Sequence, residues 1–183
     1  VDVRDAPICD FLGGQVRIAT EYCGHLDPLD LDEYIAHGGF AALRQIIDRA
    51  ETATQAALKS GASVADPAAD IIRQVTVSGL RGRGGAGFPT GRKWQTVHDA
   101  PGPRKFIIVN GDEGDPGAFM DRMILESYPY RVLEGMLIAA LAVDAHEGRL
   151  YIRHEYPLAV KRIGQALAIL RARGYIGKSI LES

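Results

Sequence analysis

Apolar residues at Phe40, Leu43, Ile46, Ile47 and Ala50 return every three or four positions, the spacing that places them on one side of a helix. The pattern predicts an amphipathic helix over 40–59, stopped at Gly61. Upstream, Asp30 and Glu33 have the form of a capping box that opens a short helix through Tyr34 and Ile35, closed by Gly38-Gly39. Asp66-Pro67 opens another helix, with Ile71, Ile72, Val75 and Leu80 as its apolar set. The pattern then changes. Lys105 to Asn110 carries four consecutive apolar residues, a run of strand length that reads as a buried strand. Pro129 to Val143 is a strongly apolar helix, and Arg149 to Arg153 a second strand of alternating character. Pro157 starts a last helix whose face is Leu158, Val160, Ile163, Ala166, Leu167 and Leu170, ending at Arg173 before Gly174. Strand, helix, strand, helix in this order predicts an α/β fold with a parallel sheet and right-handed crossovers. Residues 1–28 show no sustained period. Turns fall at Gly13-Gly14 and Asp27-Pro28, with a short strand over Gln15 to Ala19. They read as an extension or linker before a domain over 29–183.

Composition narrows this picture little. The 183 residues suffice for one domain with a real core, and 46% apolar with 24% charged is ordinary for a globular chain. A net charge of −2 argues against a nucleic-acid surface. The longest apolar helical run, Met136 to Val143, is too short to cross a bilayer, and the opening residues, with no basic patch before an apolar core, predict no signal peptide. Cys9 and Cys23 match no zinc or redox spacing and cannot hold a four-thiolate cluster, so they read as reduced intracellular thiols. The chain opens on Val1 and stops at Ser183 directly after a helical stretch, so both ends read as cut.

The candidate chemistry begins at 81–94. Five glycines fall within ten residues, from Gly82 to Gly91, with Arg83, Arg92 and Lys93 as cations and Phe88 and Trp94 as rings. Glycines permit positive φ and close approach of the backbone, so peptide N–H groups can converge on an anion. Flexible linkers are usually Gly/Ser-rich, and this segment holds Pro, Phe and Trp, which weighs against a mere surface loop. Gly82, Gly84 and Gly87 satisfy G-x-G-x-x-G, but a Rossmann turn needs a strand before it and a helix after it. Here a helix is predicted before it, and Pro89 follows two residues on. A Walker loop fails too, because no Ser or Thr follows Lys93. An atypical glycine-rich cradle remains. Trp94 reads as a core side chain ahead of a stacking platform.

The first strand runs straight into Asn110-Gly111-Asp112-Glu113-Gly114-Asp115-Pro116-Gly117. Open α/β sheets bind ligands beyond the carboxyl ends of their strands. A calcium loop fits poorly, since the sixth-position Gly and flanking helix of an EF-hand do not follow; a solvated acidic turn is the plainer alternative. Paired with a cationic glycine loop, the segment favours a site. Asn can bond a heterocycle edge, and carboxylates can bind ribose hydroxyls. His146 and His154 read as surface or supporting residues, and Glu126 and Glu134 as caps or partners for Arg131 and Arg122.

Together, Arg81 to Trp94, Asn110 to Arg122 and Leu133-Glu134-Gly135-Met136 resemble the flavoprotein subunit of NADH dehydrogenases. This family is shared between complex I and the diaphorase subunits of NAD-reducing hydrogenases and NAD-linked formate dehydrogenases. The resemblance covers roughly 26–183, and its acidic loop is closer to the hydrogenase and formate dehydrogenase branch. It implies a Rossmann-like parallel sheet flanked by helices, incomplete at its C-terminal end, with FMN and NAD(H) as cofactors. In the family, NADH stacks on FMN and passes a hydride to it, and electrons leave singly to iron–sulfur clusters. Carried over by position, Gly82, Arg83, Gly84, Gly85, Ala86 and Gly87 would line FMN, and Phe88 would stack near the NADH adenine. Asn110, Asp112 and Glu113 would hold the flavin edges. Lys93, Glu113 and Asp115 would serve hydride transfer, with Lys93 steadying charge on reduced flavin and Asp115 lying near the nicotinamide. No metal site is expected in this chain. The family's later segments, with Cys-Gly-Glu-Glu, Asn-Asn-x-Glu-Thr and the 4Fe-4S cysteines, are not in it. The implied partners are iron–sulfur subunits of a larger complex: a 2Fe-2S subunit, a hydrogenase, a formate dehydrogenase or the complex I arm. The implied place is cytoplasmic, or peripheral on the inner membrane face through such a complex. A truncated, flavin-free structural or assembly subunit is the competing reading.

Overall fold

A computed structural model describes residues 13–22, 24–63 and 66–177. Both cysteines lie outside these residues. The elements are α1 (Leu31–Ala36), α2 (Ala41–Ser60), α3 (Pro67–Val77), α4 (Thr90–Asp99), β1 (Phe106–Gly111), α5 (Met120–Ser127), α6 (Pro129–Val143), β2 (Glu147–Ile152) and α7 (Pro157–Ala172). β1 and β2 pair in parallel, with Phe106 opposite Glu147 and Gly111 opposite Ile152. The expected α/β fold is present as a small parallel sheet flanked by helices, and α5 and α6 make the crossover between the strands.

Local signals explain most helix ends. Asp30 Oδ1 accepts from Glu33 N at 2.9 Å, which is half of a capping box. The return half goes elsewhere, because Glu33 Oε2 accepts from Asp27 N at 2.7 Å. Asp66 caps α3 through Ala68 N, with Pro67 at its first turn. α2 is entered through Phe40, fully buried with φ 59°. That left-handed conformation is costly for a non-glycine residue, and burial against Tyr34 and Tyr175 is what holds Phe40 there.

Four expectations about the elements need correction. Gln15 to Ala19 forms no strand. Leu80 is not part of a helical face, because α3 ends at Val77 and Gly79 turns the chain at φ 69°. A helix, α4, follows Pro89 directly. The apolar run in β1 is covered on one face only. Ile107 packs into a cluster with Ile71, Ile72, Ala142 and Val143, whereas Ile108 on the opposite face is 67% exposed and Tyr151 beside it 61%. On the sheet of two strands seen among the described residues, α6 and α7 pack against the face that carries Ile107, Leu150 and Ile152. The face of Phe106, Ile108, Arg149 and Tyr151 has no helix on it among the described residues.

The core is carried by α6. Tyr130 and Leu133 join Leu31, Phe40, Leu43, Ala166 and Leu170 in one cluster. Leu125, Tyr156, Ala159 and Ile163 form another beneath the ends of β2. Glu134, expected as a cap or as a partner for Arg131 or Arg122, pairs with neither arginine. Its Oε2 accepts from the Tyr34 hydroxyl at 2.7 Å and from Phe40 N at 2.9 Å, fastening α1 and the start of α2 to α6. Burial and this carboxylate push the Tyr34 hydroxyl well above the usual tyrosine range. Arg131 instead reaches Glu21 and the carbonyls of Ile18 and Ala19, while Glu126 does pair with Arg122.

Candidate functional site

Two loops carry the candidate residues. The first leaves α3 and is pinched at its neck. Arg81 and Pro89 form an antiparallel bridge, Gly82 N donates to Phe88 O at 2.9 Å, and Thr90 N to Leu80 O at 2.9 Å. Arg81 Nη1 donates to Gly87 O at 2.9 Å, and Arg83 Nη1 to Arg81 O at 2.6 Å. These bonds close a small ring of backbone over residues 82–88. Within it Gly85 and Gly87 take φ 98° and 57°, and a Cβ at Gly84, Gly85 or Gly87 would meet no atom within 4 Å. The loop is therefore open on its outer side, and the glycines there serve backbone shape and free approach.

The loop ends in the first turn of α4, whose N-cap Pro89 offers no side-chain bond. Early amides of a helix lack intrahelical partners; Thr90 N is taken by Leu80 O, and the amides after it are the ones suited to an anion. The Rossmann context is met only in part. A helix does follow the glycines, since Pro89 can stand at a helix start, but α3 and not a strand precedes them. α4 turns Trp94 and Val97 into the core beside Ile71, and Arg92 and Lys93 to solvent. Trp94 is a packing residue, as its sequence context suggests. The Arg92 guanidinium lies 5.9 Å from the ring centre of Phe88, which is half exposed.

The second loop starts at the carboxyl end of β1. Gly111 is buried, and a Cβ there would lie 2.7 Å from Leu125 Cδ1 and 3.3 Å from Tyr151 O. Asn110 Oδ1 accepts from Asp112 N at 3.1 Å, which turns the chain. Glu113 follows with φ 47°, and Ala118 N donates to Asp115 O at 3.1 Å before α5 begins. Asp115 is exposed, and Asp112 half-buried. Glu113 is the best-bonded of the three. Its Oε1 accepts from Asp121 N at 2.8 Å, and its Oε2 from Arg122 N at 3.1 Å and Tyr156 Oη at 3.2 Å. Burial pushes its carboxyl up, but hydrogen bonds from the α5 amides and Tyr156 outweigh that and hold it below the usual range. Asp121 moves the opposite way, raised by burial and then by the Glu113 charge.

Each loop is thus anchored separately: the glycine loop to itself and Leu80, the acidic loop to α5, Arg153 and Tyr156. Neither lies in a described cavity. A groove of about 800 Å³ runs between α2, α3 and the start of β1, and a cavity of about 260 Å³ lies beside Tyr34 and Glu134. Arg153 and Tyr156 were not picked out by sequence. Their signal was position, since they follow β2 as the acidic loop follows β1, and parallel strands end at one edge. His146 and His154 are exposed, in keeping with a surface reading. Among the described residues no group of three His, Cys, Asp or Glu could hold a metal ion, and no helix is long and apolar enough to cross a membrane.

Residues 75–181 match the model of the Nuo51 FMN-binding domain. The NADP-reducing hydrogenase subunit HndC of Solidesulfovibrio fructosivorans is 43% identical over 169 residues, 92% of this chain and 31% of that protein. An NADH-quinone oxidoreductase subunit of Rhizobium meliloti is 42% identical, over 87% of this chain and 33% of its own length. A crystal structure of NAD+-reducing [NiFe]-hydrogenase in the air-oxidized state superposes with a TM-score of 0.53 at 42% identity. That match covers 58% of this chain and 19% of the hydrogenase chain. The chain spans about a third of the length of these curated relatives.

Proposed function

Because the chain belongs to the family of the Nuo51 FMN-binding domain, we propose that its two loops form one wall of a flavin site serving NADH oxidation or NAD+ reduction. The observation that carries this is the pinched glycine ring, open on its outer side, leading into the start of α4, which no side chain caps. Those features suit an anionic, phosphate-bearing ligand. Bound FMN supplies the exchange of a hydride for single electrons, and the protein's part is position and charge. The backbone of Gly82, Arg83, Gly84, Gly85, Ala86 and Gly87 lines the ligand, and Lys93, exposed near the start of α4, places a cation beside it. Asn110, Asp112 and Asp115 present polar groups from the second loop, and Phe88 offers a ring for the adenine of NAD(H). A 4Fe-4S cluster held by the family's later segments, and a 2Fe-2S subunit in a hydrogenase, formate dehydrogenase or complex I arm on the cytoplasmic side, take the electrons onward.

An FMN titration tests this, read by quenching of flavin fluorescence, with NADH then added to bleach the flavin band. Lys93→Ala should weaken FMN about tenfold or more, as expected for a charge-assisted bond. A chain that folds fully but leaves FMN fluorescence unchanged would favour a flavin-free structural subunit instead.

A further inference from the structure

Glu113 is bonded from three directions. Its carboxylate accepts the amides of Asp121 and Arg122 at the start of α5, as a helix cap contributed from outside the helix. The same carboxylate accepts the hydroxyl of Tyr156, and its own carbonyl accepts Arg153 Nη1 at 3.0 Å. Tyr156 is 8% exposed, with the guanidinium groups of Arg122 and Arg153 each 5.6 Å from its ring centre. The residue at this hub has φ 47°, a conformation that a non-glycine residue keeps only when its surroundings impose it. The contacts from α5 alone would fix the far end of the loop. Those from Arg153 and Tyr156 tie it across to the end of β2, so the loops after both parallel strands are locked to each other.

We infer that Glu113 is a positioning residue and not a cofactor ligand. Tyr156 and Arg153 act through it to hold the acidic loop in the shape that presents Asn110, Asp112 and Asp115. The role of that presentation rests on the flavin reading above; the clasp itself does not. A carboxylate with three donors already on its two oxygens has little capacity left for a ligand. Neither Arg153 nor Tyr156 need touch anything bound.

Amide hydrogen exchange in the 183-residue chain tests the clasp without any ligand. Tyr156→Phe keeps the buried ring and removes one donor. Arg153→Gln removes the charged donor to the Glu113 carbonyl, and Arg153→Lys restores a cation there. Tyr156→Phe and Arg153→Gln should each speed exchange over residues 111–122 by about fivefold, the worth of one hydrogen bond. Exchange in α2 should stay unchanged, and Arg153→Lys should recover part of the loss. Unchanged exchange over 111–122, or equal acceleration in α2, would overturn the clasp. FMN titration of Glu113→Gln, Tyr156→Phe and the double variant adds the functional arm. Positioning predicts that the double variant binds FMN no worse than Glu113→Gln alone. If Glu113→Gln weakens FMN while loop exchange stays at the wild-type rate, the carboxylate is a direct ligand and the inference fails. If the wild-type chain binds no FMN, the flavin reading falls, and the exchange data alone decide the clasp.

Discussion

Gly91 and Gly135 are both helical glycines, and the structure assigns opposite signs to their replacement by alanine. Gly91 is the second residue of α4 and is buried. A Cβ there would fall onto Thr76 Oγ1 and lie 2.9 Å from the Thr76 Cα and backbone N. Carbon atoms rest at about 3.5–4.0 Å, so α3 and α4 must part by roughly half an ångström or more, which forfeits a quarter or more of their local dispersion. Overpacking of this kind costs about 1–3 kcal/mol. Helix propensity returns at most about 1 kcal/mol, and less in a first turn. The net is a loss of about 1–2 kcal/mol, or roughly 2–8 °C in Tm for a chain this long. Gly135 lies in the middle of α6 with no atom within 4 Å of its Cβ position. There alanine should gain about 0.5–1 kcal/mol from reduced backbone entropy. Urea unfolding followed by helical circular dichroism would measure both, with an unchanged slope confirming that only stability moved. Thr76→Ala supplies the control. It removes Oγ1 but leaves the two backbone contacts, so it should not rescue Gly91→Ala. Full rescue, or equal signs at 91 and 135, would refute the claim that α3 and α4 meet backbone to backbone.

Three further outcomes can be checked on the same chain. Glu134→Ala strips the acceptor from the Tyr34 hydroxyl and Phe40 N, and should cost about 2–4 kcal/mol in urea unfolding; Glu134→Gln, which keeps one acceptor oxygen, should cost less. Glu113 has a folded carboxyl held below its unfolded value, so its contribution to stability is present above the unfolded value and lost as pH falls through the folded one. Tm of the wild type should fall from about pH 5 toward pH 3, and Glu113→Gln should flatten that fall, read by thermal melts across the range. On β1, Ile108→Ser should leave stability within about 0.5 kcal/mol, whereas Ile107→Ala, on the packed face, should cost about 2 kcal/mol.

Much of the fold could be read because its signals are local. The stripe Leu43, Ile46, Ile47, Ala50 needs only helical geometry to be recognised, and Asp66-Pro67 and Gly61 mark ends by their own backbone chemistry. α4 was hidden because its first residues, Thr90-Gly91-Arg92-Lys93, continue a glycine-rich stretch of low helix propensity, and its apolar face has only Trp94 and Val97. Gly91 there weakens the helical signal, yet only glycine lets α4 approach Thr76, a tertiary reason that no window of sequence contains. The strand expected at Gln15 to Ala19 failed for the converse reason. A β pattern that finds no strand to pair with among the described residues leaves its backbone groups unpaired by a sheet. Glu134 was expected as a cap or as the partner of a nearby arginine, but its partners Tyr34 and Phe40 stand 100 and 94 positions earlier.

The candidate site divides along the same line. Its residue types were legible, because glycines that permit positive φ and polar groups beyond a strand end are chemical requirements written into consecutive positions. Roles were less so. By residue type Glu113 is one of three carboxylates, and its hydrogen bonds in the fold separate it from Asp112 and Asp115. The distinction comes from α5 amides eight and nine residues onward and from the Arg153 and Tyr156 side chains beyond β2. A parallel pair makes that unavoidable, since the crossover that brings β2 beside β1 must consume a long stretch of chain, here two helices, before the loop ends can meet. Within the flavin site proposed above, the most heavily bonded carboxylate has the least capacity left for a ligand, and exposed Asp115 becomes the first residue to test for contact with a nicotinamide.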